Sequence, residues 1–226
     1  MTPPADPAPS PSSIGTGPGG GATGRLLVLT STWPRWEGDA TTTFVQELTG
    51  RLTGLGWNAR VLAPHAAGAA RNEVDHGASL HRFRYAWPEA AQTVCYGSGA
   101  LVNLRERPLE VAKVPLLVAA EQAATLRTVR RWRPDVIHAH WLIPQGFVAG
   151  LVPGRSAPPA VVTVHGGDVF ALDQPGVRSA KRLAVRRASA ITVNSSATEQ
   201  AVLDLGADPD RVHRIPMGIE VDRPAD

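Results

Sequence analysis

Short apolar runs alternate with amphipathic segments along most of this chain. Leu26, Leu27, Val28 and Leu29 make residues 25–30 read as a buried strand, and 41–54 follow as an amphipathic helix. Residues 58–63 read as a second strand closed by Pro64, and 64–77 as a loop rich in Ala, Gly and polar groups. In 79–85, Leu80, Arg82 and Arg84 alternate with His81, Phe83 and Tyr85, which suits a strand with one solvated face or an edge. Residues 86–107 are broken by Trp87-Pro88 and Gly97-Ser98-Gly99, and predict an irregular excursion over the ends of the strands. The longest helical pattern is 108–132, with Leu109, Ala112, Leu116, Ala119, Ala123 and Leu126 as its apolar stripe and Pro115 as a mid-helix kink. Its last turn gathers Arg127, Arg130, Arg131 and Arg133 before Pro134 ends it. Strands follow at 135–138, 160–164, 190–193 and 211–215, and helices at 143–151, 176–188 and 197–205, the last capped by Ser195 or Ser196. Strand and helix in alternation predict an α/β fold, a Rossmann-like parallel sheet with helices on both faces.

The first 24 residues break the pattern. Six Pro, six Gly and a single charge, Asp6, bury too little apolar surface to offset ordering, so 1–24 read as a disordered tail and not a signal peptide. No apolar stretch reaches membrane-spanning length. Cys95 is the only cysteine, so no internal disulfide forms and nothing argues for an oxidising compartment. The formal charge of +3 in 226 residues is too mild to call for nucleic acid. A cytoplasmic location is expected. A peripheral membrane contact stays open through Arg178, Lys181, Arg182, Arg186 and Arg187, a basic run that equally suits a solvated face or a surface meeting another domain.

In an open parallel sheet ligands bind outside the carboxyl ends of the strands. Three loops end there in this sequence: Gly38-Asp39-Ala40-Thr41-Thr42, His138-Ala139-His140, and His165-Gly166-Gly167-Asp168. Gly166 and Gly167 allow close approach of a ligand or backbone, and His165 and Asp168 suit orienting a sugar hydroxyl or exchanging a proton. His138 and His140 are equally read as hydrogen-bonded structural groups, and Gly38-Asp39 as a turn. H-x-H with a distant H-x-x-D lacks the tight spacing of a zinc site, so no metal is expected, although a metal-dependent hydrolase using His138, His140, His165 and Asp168 stays as a third reading. No G-x-G-x-x-G follows the first strand and no P-loop occurs.

Five stretches in this order resemble one family over 25–223. They are Trp33-Pro34-Arg35-Trp36-Glu37-Gly38-Asp39 through Phe44-Val45-Gln46-Glu47-Leu48; 54–64; Asp135-Val136-Ile137-His138-Ala139-His140-Trp141; Val164-His165-Gly166-Gly167-Asp168; and Ile215-Pro216-Met217-Gly218-Ile219-Glu220. Together they are similar to the amino-terminal domain of family 4 glycosyltransferases, retaining enzymes of GT-B fold. Trp57 stands where the family usually has His, and Gly38-Asp39 where its first loop often has a Gly pair. The resemblance implies that 25–217 are the acceptor-side domain of an enzyme passing a hexose from a nucleoside-diphosphate sugar to a hydroxyl. That sugar would be a co-substrate, with no other cofactor. Residues 218–226 would begin the hinge to a donor-binding domain carrying E-x7-E, a pattern this sequence lacks. It further implies that His165 and Asp168 work at the reacting centre, while Gly38, Asp39, Thr41, Thr42, His140, Gly166 and Gly167 bind substrate. The acceptor would be a sugar, lipid or polysaccharide. Alone the chain would turn over negligibly. The alternative is a non-catalytic sugar- or partner-binding module completed by a separate chain.

Overall fold

The structure is a computed structural model that describes residues 23–154 and 157–218. The expected tail, up to its last two residues, and the expected hinge beyond Gly218 lie outside the described residues. The strands are β1 (Gly24–Leu29), β2 (Trp57–Pro64), β3 (Asn72–Asp75), β4 (Ala78–Phe83), β5 (Val136–His140), β6 (Ala160–Val164), β7 (Ala190–Val193) and β8 (Val212–Arg214). The helices are α1 (Phe44–Gly54), α2 (Ala100–Glu106), α3 (Val114–Trp132), α4 (Phe147–Gly150), α5 (Gly167–Phe170), α6 (Pro175–Arg187) and α7 (Ser196–Asp204). They form one sheet in the order β3-β4-β2-β1-β5-β6-β7-β8, parallel except for β3 against β4. The strand order reverses between β1 and β5, and a crevice opens at such a point beyond the carboxyl ends of the strands.

The periodicity-two rule shows in β1, which is buried on both sides. Leu26 and Val28 pack with Val45, Ala59 and Val61 on one face, and Leu27 and Leu29 with Leu117, Trp132, Ile137 and Ala139 on the other. Around β1 both faces are covered by helices, α1 on one and α3 on the other, as expected for a parallel sheet. Among the described residues no helix is long and apolar enough to cross a membrane.

Four sequence expectations change. The 64–77 loop contains β3, joined to β4 by a two-residue turn whose His76 and Gly77 both have positive φ, 48° and 77°. That is the geometry whose twist matches a hairpin. The stripe assigned to 108–132 is displaced: Leu109 and Leu116 are 84% and 55% exposed, while Leu117, Glu121, Ala124, Thr125 and Trp132 face the core. The polar Glu121 and Thr125 disguise that face. Pro115 lies in the first turn of α3, after a 3-10 segment at Pro108–Lys113, so it starts the helix and does not kink it. The 86–107 excursion folds into a 3-10 turn and α2, and Asn103 Nδ2 donates to the carbonyls of Val94 (2.9 Å) and Tyr96 (2.8 Å).

Two local features fix elements near the site. Arg82 is fully buried and donates to Pro34 O, Ala70 O and Glu73, tying the loop after β1 to the β3–β4 hairpin. Ser195 caps α7: its side chain accepts from Thr198 N (3.2 Å) while Thr198 Oγ1 accepts from Ser195 N (3.1 Å). Ser195→Ala is expected to cost about 1 kcal/mol, read as a lower urea midpoint at unchanged slope.

Within the basic run of α6, Lys181 does not face outward as the sequence placed it. Its side chain turns inward and Nζ donates to the carbonyls of Val169 (2.9 Å) and Ala171 (2.6 Å), which lie at the end of the short α5. Arg178, Arg182, Arg186 and Arg187 remain exposed.

Candidate functional site

The carboxyl ends of β5 and β6 bring three histidines together. His138 and His140, two residues apart in β5, share one face of the sheet, with ring centroids 4.2 Å apart. His138 Nε2 is hydrogen-bonded to Thr163 Oγ1 (2.8 Å), and Thr163 Oγ1 to Thr192 Oγ1 (2.7 Å), so a polar ladder crosses β5, β6 and β7. His165 follows β6 directly, and its Nε2 lies 3.3 Å from His140 Nδ1. Phe44, the first residue of α1, packs 4.9 Å from the His165 ring, and Trp141 lies 4.8 Å from it. The site is therefore an imidazole pair walled by two aromatic rings.

Burial holds these imidazoles neutral. His138 is lowered to about 4 by burial alone, and His165 to about 4 by burial with His138 nearby. His140 falls well below its ordinary value through burial and its two histidine neighbours, and its Nε2 has no hydrogen-bond partner. An unpaired ring nitrogen at a buried position is uncommon in folded proteins. The folded values lie below the unfolded value of about 6.5, so the stability these groups carry is complete above that pH and lost as pH falls through about 4. The urea midpoint is expected to drop between pH 6.5 and 4, and His138→Gln, which keeps a hydrogen bond to Thr163 but cannot titrate, flattens the drop.

Asp168 has a different position from the one its sequence neighbourhood suggested. Its carboxylate accepts from Leu142 N (2.6 Å) and His165 N (3.1 Å), clamping the loop after β5 to the loop after β6. Burial raises its pKa, and the backbone N–H groups around it pull back. Gly166 has φ 100°, which only glycine adopts readily, and lets the chain turn sharply after His165. Gly167 packs against α2, where an added Cβ would lie 3.3 Å from Leu101 Cδ1.

The first loop reaches the histidines through Phe44. Within it Asp39 accepts from Arg35 N, Nε and Nη2 and from Thr41 Oγ1, and the Arg35 guanidinium holds its carboxyl far below the usual range. The loop is a braced turn, and Asp39 is spent on bracing it. Gly38 has φ 76° with open space where a Cβ would be, and Thr42 is exposed.

Sequence reasoning gave no separate role to Trp141, Gln145 or Glu121. Trp141 has φ 76°, a strained conformation for a non-glycine residue, and it is pinned by Trp141 N donating to Thr163 O (2.9 Å). Gln145 accepts from Ser31 Oγ (3.5 Å) and donates to Glu121 Oε2 (3.4 Å) beneath the crevice. Burial raises Glu121 to about 8, so it is protonated at neutral pH, and its share of stability is lost in the opposite sense, as pH rises from about 4.5 through about 8. Among the described residues no three His, Cys, Asp or Glu side chains converge to hold a metal, and Asp168 is turned to backbone N–H groups.

A family model described as Glycosyltransferase Family 4 matches residues 41–223. Over 105 residues the chain is 31% identical to TuaC of Bacillus subtilis (strain 168), described as a teichuronic acid biosynthesis glycosyltransferase; the match covers 45% of this chain and 26% of that protein. Among solved structures, the sucrose-phosphate synthase of Thermosynechococcus elongatus superposes with a TM-score of 0.58 at 16% identity, covering 86% of this chain and 89% of that one. Alr3699/HepE of Anabaena, in complex with UDP and glucose, gives 0.54 at 17% identity, covering 87% and 45%. The match thus spans about a quarter of the curated relative's length. The structural likenesses match this sheet to the Rossmann-like domains of GT-B proteins.

Proposed function

This chain belongs to glycosyltransferase family 4, and from that membership we propose that it is the acceptor-side half of an enzyme passing a hexose from a nucleoside diphosphate to a hydroxyl with retention. The observation that carries the reading is the neutral His140–His165 pair at the β1/β5 switch point, faced by Phe44 and Trp141. In such a transfer positive charge develops on the sugar ring as the diphosphate leaves. A cationic imidazole there would oppose that charge. A neutral one can hydrogen-bond a sugar hydroxyl without that cost, while the aromatic rings take the apolar C–H faces of the sugar. Asp168 acts as a positioning residue, holding the two loops at fixed separation.

The donors that stabilise the leaving diphosphate belong, in this reading, to a second domain with E-x7-E, which no pair of Glu residues in this sequence provides. The acceptor is a sugar, lipid or polysaccharide hydroxyl. The test compares the purified 226-residue chain with a protein joining it to a donor-binding half, by release of nucleoside diphosphate from nucleotide hexoses. Release by the joined protein, with none from the chain alone, is expected. Transfer by the chain alone would overturn the assignment to an acceptor half.

A further inference from the structure

A recess lies away from the histidines, on the part of the sheet beyond β1. On the face that carries α3, residues of β2, β4 and β3 lie uncovered, and a groove of about 660 Å³ opens between them and the second half of α3. The register explains its composition. Ser79 and His81 lie opposite Val74 and Asn72, and Arg60 opposite Ser79, so all present their side chains to this face. Arg127 and Arg131, four apart on α3, form the other wall. β3, hidden from the sequence pattern, completes the outer side.

The charge in this groove is one-sided. Glu73 is the only acid lining it, and its carboxylate is taken by the buried Arg82. Neither Arg127 nor Arg131 has an ion-pair partner among the described residues, and Arg60 lies with its guanidinium 4.6 Å over the Trp132 ring, which presets its position. His81 Nδ1 is engaged by Asn72 Oδ1 (2.7 Å). Burial lowers its pKa first, and Arg71 and Arg127 lower it further. Three guanidiniums with a serine hydroxyl around a recess of ligand size match a multiply charged oxyanion, whose oxygens accept the planar guanidinium forks. A flat anionic surface would meet the rims and leave the floor unused.

We propose that this groove is a binding site for a small soluble ligand carrying two or more phosphate charges, held by Arg60, Arg127, Arg131 and Ser79. It is separate from the histidine site and does not depend on the transfer reaction assigned there. Inorganic pyrophosphate is the probe. Titrated into the 226-residue chain, it should bind saturably by calorimetry with a dissociation constant below about 1 mM. The His81 imidazole signal, followed by NMR against pH, should move to a higher pKa as the bound anion offsets Arg71 and Arg127. The double variant R127A/R131A removes two exposed side chains and should weaken binding about tenfold or more. R60Q is the second variant, and should weaken it by a smaller factor. The proposal is overturned by absence of saturable binding, by equal effects from sodium chloride at matched ionic strength, or by undiminished binding in both variants. It is likewise overturned if phosphatidylglycerol vesicles bind through these arginines while pyrophosphate does not.

Discussion

Replacing His165 by Ala, in a protein that joins this chain to its donor-binding half, is expected to lower kcat by about two to three orders of magnitude while KM for the donor changes little. His165 follows β6 with Nε2 3.3 Å from His140 Nδ1, and its ring packs with those of Phe44 and Trp141 in a three-ring cluster. A sugar hydroxyl pressed into that wall loses its hydrogen-bond partner when the imidazole is removed, and an unpaired buried polar group is costly. Because His165 is lowered to about 4, the loss should be the same at pH 6.5 and pH 8.5. A loss that grew toward acid pH would mean the imidazolium is the working form. Activity within threefold of the parent would remove His165 from the reacting centre.

Asp168→Asn is expected to destabilise the isolated chain by about 3 kcal/mol, and to impair transfer in the joined protein as well. The two carboxylate oxygens accept from Leu142 N and His165 N across two loops, and both loops have their next backbone turns fixed by that clamp. Asparagine keeps the volume but sets an N–H donor against one of those N–H groups, so one buried donor goes unpaired and a second is repelled. The check is urea unfolding at constant slope, with proton signals of His138, His140 and His165 as the local report. A loss under about 0.5 kcal/mol would show that the clamp is dispensable to the fold. Unchanged histidine signals in a destabilised variant would show that it does not position the site.

These two residues also show how far the sequence could be read. His165-Gly166-Gly167-Asp168 stood out because a β-branched run ends just before it, and a strand end in a parallel sheet is where a site sits. The division of labour inside that motif was not legible. Whether Asp168 faces a ligand or a backbone depends on where Leu142 arrives, 26 positions away along the chain. The same holds for Asp39, whose carboxylate is consumed by Arg35, and for Lys181, which the helical pattern alone places among the solvent-facing cations of α6.

Local pattern by itself determined what local forces decide. The apolar β-branched runs are the strands, the Ser195 cap and the segment-ending prolines bound the helices, and their alternation dictates a parallel sheet with its site at the carboxyl edge. What tertiary structure alone decided are the facts that depend on partners distant in sequence. Among them are the β3 hairpin, the true inner face of α3 with its buried Glu121, the inward turn of Arg82 and Lys181, and the neutral state of the three histidines. The reason is common to all of them. A polar side chain is readable as solvent-facing until the fold supplies it a buried carbonyl, carboxylate or N–H, and that supply is set by packing across the sheet, which no local window of sequence contains.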